Sequence, residues 1–572
     1  MRRGGFAGPP RGRRTRPFAS TSPSSAGCWV WRAMAETATP PRPADATPGA
    51  WSPFGSRVFL VLWIAAVVGH VGTWMRDVGA GWLMTTLSPS AMAVALVQVA
   101  TTLPIFLLSL PAGALADIVD RRRLMLLITV LMASVSAALA LATHAGWMTP
   151  ALLVAGLLTA GVGTAIMAPV LQSLTPTMVG KPLLRQAIAL NSVGTNVSRA
   201  IGPALGGLVV AGAGVAWTFV ADAVSYLGLI GALWWWRGAS VRAGTGARER
   251  LGPAMRAGLR FALHAPALQR VLLRAAAFFA FASAYWALLP LVARRQLQGD
   301  ATLYGVLLAS IGSGAVAGAL TLPALRQRWS GEWVVRVGTG LTMGVLVVLA
   351  LTTHQALASL ALAIAGVAWI GVLTTANVAA QTQLPNWVRG RGLAVYLTIF
   401  YGSMTAGSLL WGLLADATSV ATALLAAAGL GLVALLLSFT RPLPEGEPDL
   451  TPSMHWPEPD VAPQVAAAGL NERLPVLVTV TYRIDPSAAA TFLAALHRLA
   501  DERLRDGAQA WAVFEDVHEP GVFVETFQLA SWSEHLRQHH RVTREDAAAQ
   551  AAVRAHHQGP DPPRVWHGIM QA

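Results

Sequence analysis

Few residues in this chain place an ionisable head inside an apolar run, and those few are where chemistry can occur. Asp222 stands between Val220-Ala221 and Ala223-Val224, and Arg199 stands between Val197 and Ile201. Arg76 and Asp77 adjoin at the end of an apolar run that also holds His70. A charge at such a depth costs several kcal/mol unless it is paired or faces water. An aspartate there can carry a proton, because desolvation favours the uncharged acid. Asp222 is therefore read either as a proton carrier or as half of a structural ion pair with Arg199 or another base. Both Asp222 and Arg199 are expected to face a bundle interior. Arg76 and Asp77 read as an interface pair at the outer end of the first span or as a gating or substrate pair. His70 reads as a hydrogen-bonded packing residue. Tyr285, Trp286, Asn377, Gln381 and Tyr401 are candidate cavity liners.

No acid–base or nucleophile constellation emerges, so no catalytic residue is assigned. His535-x-x-x-His539, with His540 beside it, has the helical spacing of a two-histidine metal site, but no third ligand follows. A single cysteine, Cys28, excludes a disulfide framework and any Cys-rich centre. No metal is expected.

The elements that must position these residues are membrane spans. Of 572 residues, 54% are hydrophobic and 12% charged, with mean hydropathy +0.51. A soluble chain carries about twice that charge. Twelve candidate spans run from about Arg57 to Thr440, the first over 57–78. About 20 apolar residues suffice to cross a bilayer. The net charge of +14 sits largely in arginines between apolar runs, a topology signal rather than a nucleic-acid surface. The basic turns carry Arg121 to Arg123, Lys181 and Arg185, Arg326 and Arg328, and Arg389 and Arg391, and the long stretch 237–268 carries more. Alternate turns hold little beyond Arg76, Arg294 and Arg295. The basic turns are expected in the cytoplasm, and an even span count puts both termini there. The chain divides into a disordered basic segment (1–55), a six-helix half (56–236), a basic loop (237–268), a second six-helix half (269–440), a linker (441–472) and a soluble domain (473–572).

Between spans 2 and 3 lies Gly113-Ala-Leu-Ala-Asp117-Ile-Val-Asp120-Arg121-Arg122-Arg123. Asp117 at a helix end beside Arg121 and Arg122 can form charge-assisted bonds that hold one conformation, or the arginines can be plain interface anchors. Span 5 carries Gly202-Pro203-Ala-Leu-Gly206-Gly207, where glycines permit close helix approach and proline bends the axis. In the soluble domain, Val476 to Ile484 alternate as a strand and Asp485-Pro486 opens a helix. Two strands flank Glu519-Pro520-Gly521, Ser531-x-x-Glu534 opens a second helix, and a short strand runs near 564–569. The order βαββαβ is the ferredoxin-like arrangement.

These motifs resemble the major facilitator superfamily. Gly81-Trp-Leu-Met, the Gly113–Arg123 loop, the Gly202–Gly207 element and Gln383-Leu-Pro-Asn-Trp-Val-Arg-Gly-Arg391 look like one branch of it. That branch includes the enterobactin exporter and is labelled transmembrane secretion effector. The tail, with Trp532-Ser-Glu-His-Leu-Arg-Gln-His539, is similar to antibiotic-biosynthesis-monooxygenase domains. The resemblance implies a twelve-helix fold, two six-helix halves rocking about a midplane cavity. It implies export of a small amphipathic compound, such as a siderophore or drug, driven by the proton gradient with no other cofactor. In that family the loop holding Gly113, Asp117, Arg121 and Arg122 is a conformational latch. Here Ile118 replaces the usual arginine and Asp120 the usual glycine, which weakens or re-pairs it. The expected location is the cytoplasmic membrane. A binding or self-associating role is expected of the tail; the alternatives are a cofactor-free oxygenase tail, or an importer.

Overall fold

The structure is a computed structural model that describes residues 49, 51–236, 251–444, 446, 448–453 and 474–570. The basic segment 1–55 lies largely outside the described residues, as do 237–250 and most of the linker. The described residues from Pro53 onward pack as one unit.

Twelve long helices lie between Arg57 and Ser438 among the described residues. The first half holds α1 (Arg57–Leu87), α2 (Ala91–Ile118), α3 (Arg121–His144), α4 (Pro150–Val179), α5 (Leu184–Ala213) and α6 (Ala216–Trp235). After the short α7 (Leu251–Leu263) come α8 (Pro266–Leu291), α9 (Ala301–Arg326), α10 (Gly331–Leu351), α11 (Gln355–Thr382), α12 (Arg389–Ala417) and α13 (Val420–Ser438). Eleven of the long helices are apolar and long enough to cross a membrane. The exception is α5, whose one face carries Asn191, Thr195 and Arg199 toward an internal cavity.

Local signals set the ends. Ser56, Thr149, Asp300, Ser330 and Ser419 each accept a backbone N–H at a helix start. The first span is longer than 57–78. With 31 residues, α1 is about 46 Å long at 1.5 Å per residue. Arg76 and Asp77 therefore sit well inside it, ten residues before Leu87, and not at its outer end. The halves meet where α2 packs on α12 and α5 on α9.

The stretch 237–268 is not simply a basic loop. Within it α7 forms, burying Ala257, Phe261 and Ala262 against α12 and the tail. Thirteen residues with one apolar stripe are too short to span but suffice to lie along a protein surface.

The tail folds as β1 (Val476–Arg483), α14 (Ala489–Asp506), β2 (Ala510–Glu515), β3 (Val522–Leu529), α15 (Trp532–Arg541), α16 (Arg544–Arg554) and β4 (Arg564–Ile569). The strand order is β2-β3-β1-β4 and each pairing is antiparallel. Val476, Val478, Val480 and Tyr482 face α14, with Phe492, Leu496 and Leu499 across from them. The second helical segment is two helices, broken at Val542. Glu534 does not complete a capping box at Ser531; its carboxylate takes Arg537 and Arg541 at 2.9 and 2.6 Å. The reciprocal box forms instead at Thr543 and Asp546.

The tail is docked on the arginine-rich end of the helices. Arg260 of α7 lies 3.6 Å from Glu534, and the Arg541 guanidinium lies 4.4 Å from the centroid of Trp387, between α11 and α12. Inside the tail, buried Glu525 accepts bonds from Tyr482, Arg503 and Trp511 at 3.0, 3.2 and 3.0 Å. Burial, reinforced by the Asp546 carboxylate, pushes the neighbouring Glu502 carboxyl up to about 8. Its folded value exceeds its unfolded one, so the Glu502 proton stabilises the tail fully below about 4.5 and is lost as pH rises through about 8. Hydrogen-exchange protection of α14 in the full chain, corrected for intrinsic rates, should fall across that window. Glu502→Gln should flatten the fall; an unchanged profile would contradict the assignment.

Candidate functional site

A cavity of about 990 Å³ lies between the halves, walled by α1, α2, α4, α5, α8, α9, α11 and α12. It extends toward the arginine-rich end, where Gln172 of α4 and Gln381 of α11 line it as exposed residues. The opposite end is bridged. Arg294 donates to Thr85 Oγ1 at 2.9 Å, and Arg295 donates to the Pro89 carbonyl. Asp416, at the end of α12, accepts from Ser90 Oγ (2.5 Å), Met92 N (3.1 Å) and Ala91 N at the start of α2. A carboxylate at a helix N-terminus is favoured by the exposed N–H groups and the helix dipole.

Deep in the first half, Arg76 joins two carboxylates. Its Nη1 lies 3.3 Å from Asp222 Oδ2, while Nε and Nη2 donate to Asp77 Oδ1 at 3.1 and 2.9 Å. Asp222 also accepts from Ser136 Oγ at 2.6 Å and is closed to solvent, whereas the Asp77 side chain is 31% exposed. Thr73 bonds Tyr226 at 2.9 Å behind the pair. Arg76 and Asp77 line the cavity and Asp222 lies behind them. One cation between two carboxylates leaves a spare negative charge, which one proton neutralises. Glycines make this possible. A Cβ on Gly72 would lie 2.3 Å from Ser225 Oγ and 3.0 Å from Asp222 Cα, so only glycine lets α6 approach α1 closely enough.

Asp222 and Arg199 are not a pair, because Gly72 brings Asp222 against α1. Arg199 lines the cavity from α5, its guanidinium 5.8 Å from the Trp74 ring. Trp286, Gln381 and Tyr401 also line the cavity, as does His70, whose Nδ1 is 2.6 Å from the Ala66 carbonyl. Tyr285 and Asn377 do not. Tyr285 is fully buried against Trp286 at 5.6 Å, and the Asn377 amide oxygen takes up Gln381 at 2.5 Å. Trp74 and Trp369 are further liners that the sequence alone does not single out.

Gly202 and Gly206 lie against α1, and Gly207 meets Gly305 of α9. At the loop after α2, Gly113 and Asp117 belong to the helix, but the Asp117 side chain lies outside what is described. Asp120 caps α3, accepting from Arg123 N at 3.0 Å. Arg121 opens α3, and Arg122 donates to the Leu233 and Trp234 carbonyls at the end of α6 at 2.9 and 3.3 Å. Arg122 thus ties α3 to α6. In the tail, His535 is buried with its ring 4.7 Å from His539 and 4.8 Å from His567. No group of metal-binding geometry occurs among the described residues.

Residues 48–572 match the family described as transmembrane secretion effector. The chain belongs to that family. It is accordingly a multi-pass membrane transporter of the major facilitator type and not an enzyme. It is 24% identical to the staphyloferrin A transporter of Staphylococcus aureus, over 60% of this chain and 86% of that one. It is 28% identical to the multidrug efflux pump Tap of Mycolicibacterium fortuitum, over 67% and 96%. It is 32% identical to the enterobactin exporter EntS of Salmonella typhi, over 46% and 63%. Among solved structures, a bacterial homolog of the lysosomal transporter Spinster, inward-facing and unoccupied, aligns with TM-score 0.53 and 16% identity, covering 68% of this chain and 97% of that one. The nucleoside transporter NupG aligns with TM-score 0.54 and 13% identity over 67% and 98%. These likenesses to solved structures establish the fold of the chain's helical part.

Proposed function

We propose that this transporter exports a small amphipathic compound in exchange for protons across the cytoplasmic membrane, with both termini in the cytoplasm. The observation that carries the reading is Arg76 held between Asp77 in the cavity wall and Asp222 behind it. Protonating Asp222 frees Arg76 to serve Asp77 alone, which gives the site two charge states. The relatives named as exporters and an efflux pump support outward transport. The arginine-rich end is cytoplasmic by the positive-inside rule, so the cavity faces the cytoplasm. Opening the other way would break the Asp416 and Arg294 bridges. The proton gradient is the energy source, and no cofactor takes part.

The test begins with a growth-inhibition panel in an efflux-deficient host. The compound to which the protein confers most resistance is then offered to inverted vesicles under an imposed pH gradient. Gradient-dependent accumulation is expected; equal accumulation without a gradient contradicts antiport.

The tail's strand order is that of a ferredoxin-like domain and supports the monooxygenase-like assignment by fold alone. Its proposed role is self-association. Leu477, Phe514 and Trp566, 42%, 59% and 52% exposed, share the sheet face opposite Val476 and Val478. Phe514→Glu should shift the detergent-solubilised full chain to a smaller species in light scattering; an unchanged mass contradicts the role.

A further inference from the structure

The cavity carries two arginines, and only one is neutralised. Arg76 is held by two carboxylates. Arg199 has no carboxylate partner among the described residues, and its Nε is buried without a hydrogen-bond partner. The side chain is fixed, because its guanidinium rests 5.8 Å from Trp74 and Gly202, three residues on, packs against the same tryptophan. From Trp74 an aromatic wall continues. Trp286 lies 6.4 Å away, Trp369 lies 5.5 Å beyond that, and Phe400 stacks edge-on with Tyr401 at 4.5 Å.

We propose that this cavity selects compounds that join a planar aromatic ring to an anionic group, with Arg199 holding the anion and the Trp74–Trp286–Trp369 wall holding the ring. The proposal rests on the transport reading above and deepens it. An unpaired guanidinium away from bulk water is costly, and a carboxylate or phenolate offsets that cost with charge-assisted, two-pronged bonds. Tryptophan faces and edges add ring contacts without consuming hydrogen bonds. A cationic guest is disfavoured twice. Arg199 repels it, and the wall's exposed carboxylate, Asp77, already holds Arg76 at 2.9 Å. The volume of about 990 Å³ accommodates several fused or linked rings.

The test titrates the full chain in lipid nanodiscs with three probes of matched ring size: naphthylacetate, naphthylacetamide and naphthylmethylammonium. The acid should bind about tenfold or more tighter than the amide, the scale of one charged hydrogen-bonded contact, and the ammonium weakest. Arg199→Gln should erase the preference, and Arg199→Lys should retain part of it while confirming that the site folds. Equal binding of acid and amide, binding of none of the three, or a preference that survives Arg199→Gln would overturn the proposal. Gradient-driven transport of the resistance compound in vesicles is read separately. If it persists while the acid preference is absent, the substrate class falls and the exporter reading stands.

Discussion

Asp222→Asn should give a folded protein whose gradient-driven transport falls about a hundredfold or more. The substitution keeps size and hydrogen bonding but fixes the site in the charge state that protonation creates. Ser136 Oγ still finds an oxygen at the position it now reaches at 2.6 Å. Arg76 keeps Asp77, with two contacts to Oδ1, so no buried cation is stranded. That distinguishes this variant from Arg76→Ala, which leaves Asp222 buried without its cation and is expected to cost about 3–5 kcal/mol of stability. The coupling is lost because a side-chain amide in place of the carboxyl takes up and releases no proton. Downhill exchange of unlabelled for labelled substrate, which needs no net proton movement, should survive in the same vesicles. The measurement is the ratio of gradient-driven uptake to equilibrium exchange. A ratio equal to that of the unaltered protein removes Asp222 from the mechanism.

Gly207→Leu should nearly abolish transport while leaving each half folded. A Cβ at Gly207 would lie 2.8 Å from Gly305 Cα and 2.9 Å from the Ala301 carbonyl oxygen. These are backbone atoms, so no rotamer relieves the clash, and α5 and α9 must separate. The contact joins the two halves, so the disturbance falls on their relative position more than on either core. It also sits toward the bridged end, and prying it apart favours the state opened there. Gly212→Leu is the control, because nothing lies within 4 Å of a Cβ at that position. Normal transport by Gly207→Leu, or equal loss by Gly212→Leu, would contradict the role of the contact.

Much of the architecture is legible in the sequence because lipid imposes a simple rule: apolar length makes a span, and arginine marks its basic end. The rule misleads where polar residues sit inside a span. Arg76 and Asp77 read as an end because the second carboxylate on Arg76, Asp222, is 146 residues away, and pairing across helices leaves no trace in one-dimensional spacing. The trace that does exist is Gly72, Thr73 and Arg76, a small-and-polar stripe at helical spacing that marks the face meeting α6. Asp416 escapes notice, although Gly412-Leu-Leu-Ala-Asp416 repeats the shape of Gly113-Ala-Leu-Ala-Asp117. The arginines of 237–268 hide α7, whose apolar positions count only once the tail and α12 supply a surface for them. The break at Val542 is hidden because Ser531-x-x-Glu534 and Thr543-x-x-Asp546 are both capping signals, and the earlier one draws the whole segment into one helix.

The proposed export cycle rests on rocking of the two halves about this cavity, and one distance tests it most directly. Spin labels replace Gln172 and Gln381, exposed liners of opposite halves at the mouth, in a background whose one cysteine, Cys28, is changed to serine. Electron–electron double resonance then follows their separation as pH is lowered and transported compound is added. A long distance at rest should give way to a shorter population, a shift absent in Asp222→Asn when pH alone is changed. A single unchanged distance under all these conditions would contradict the rocking motion.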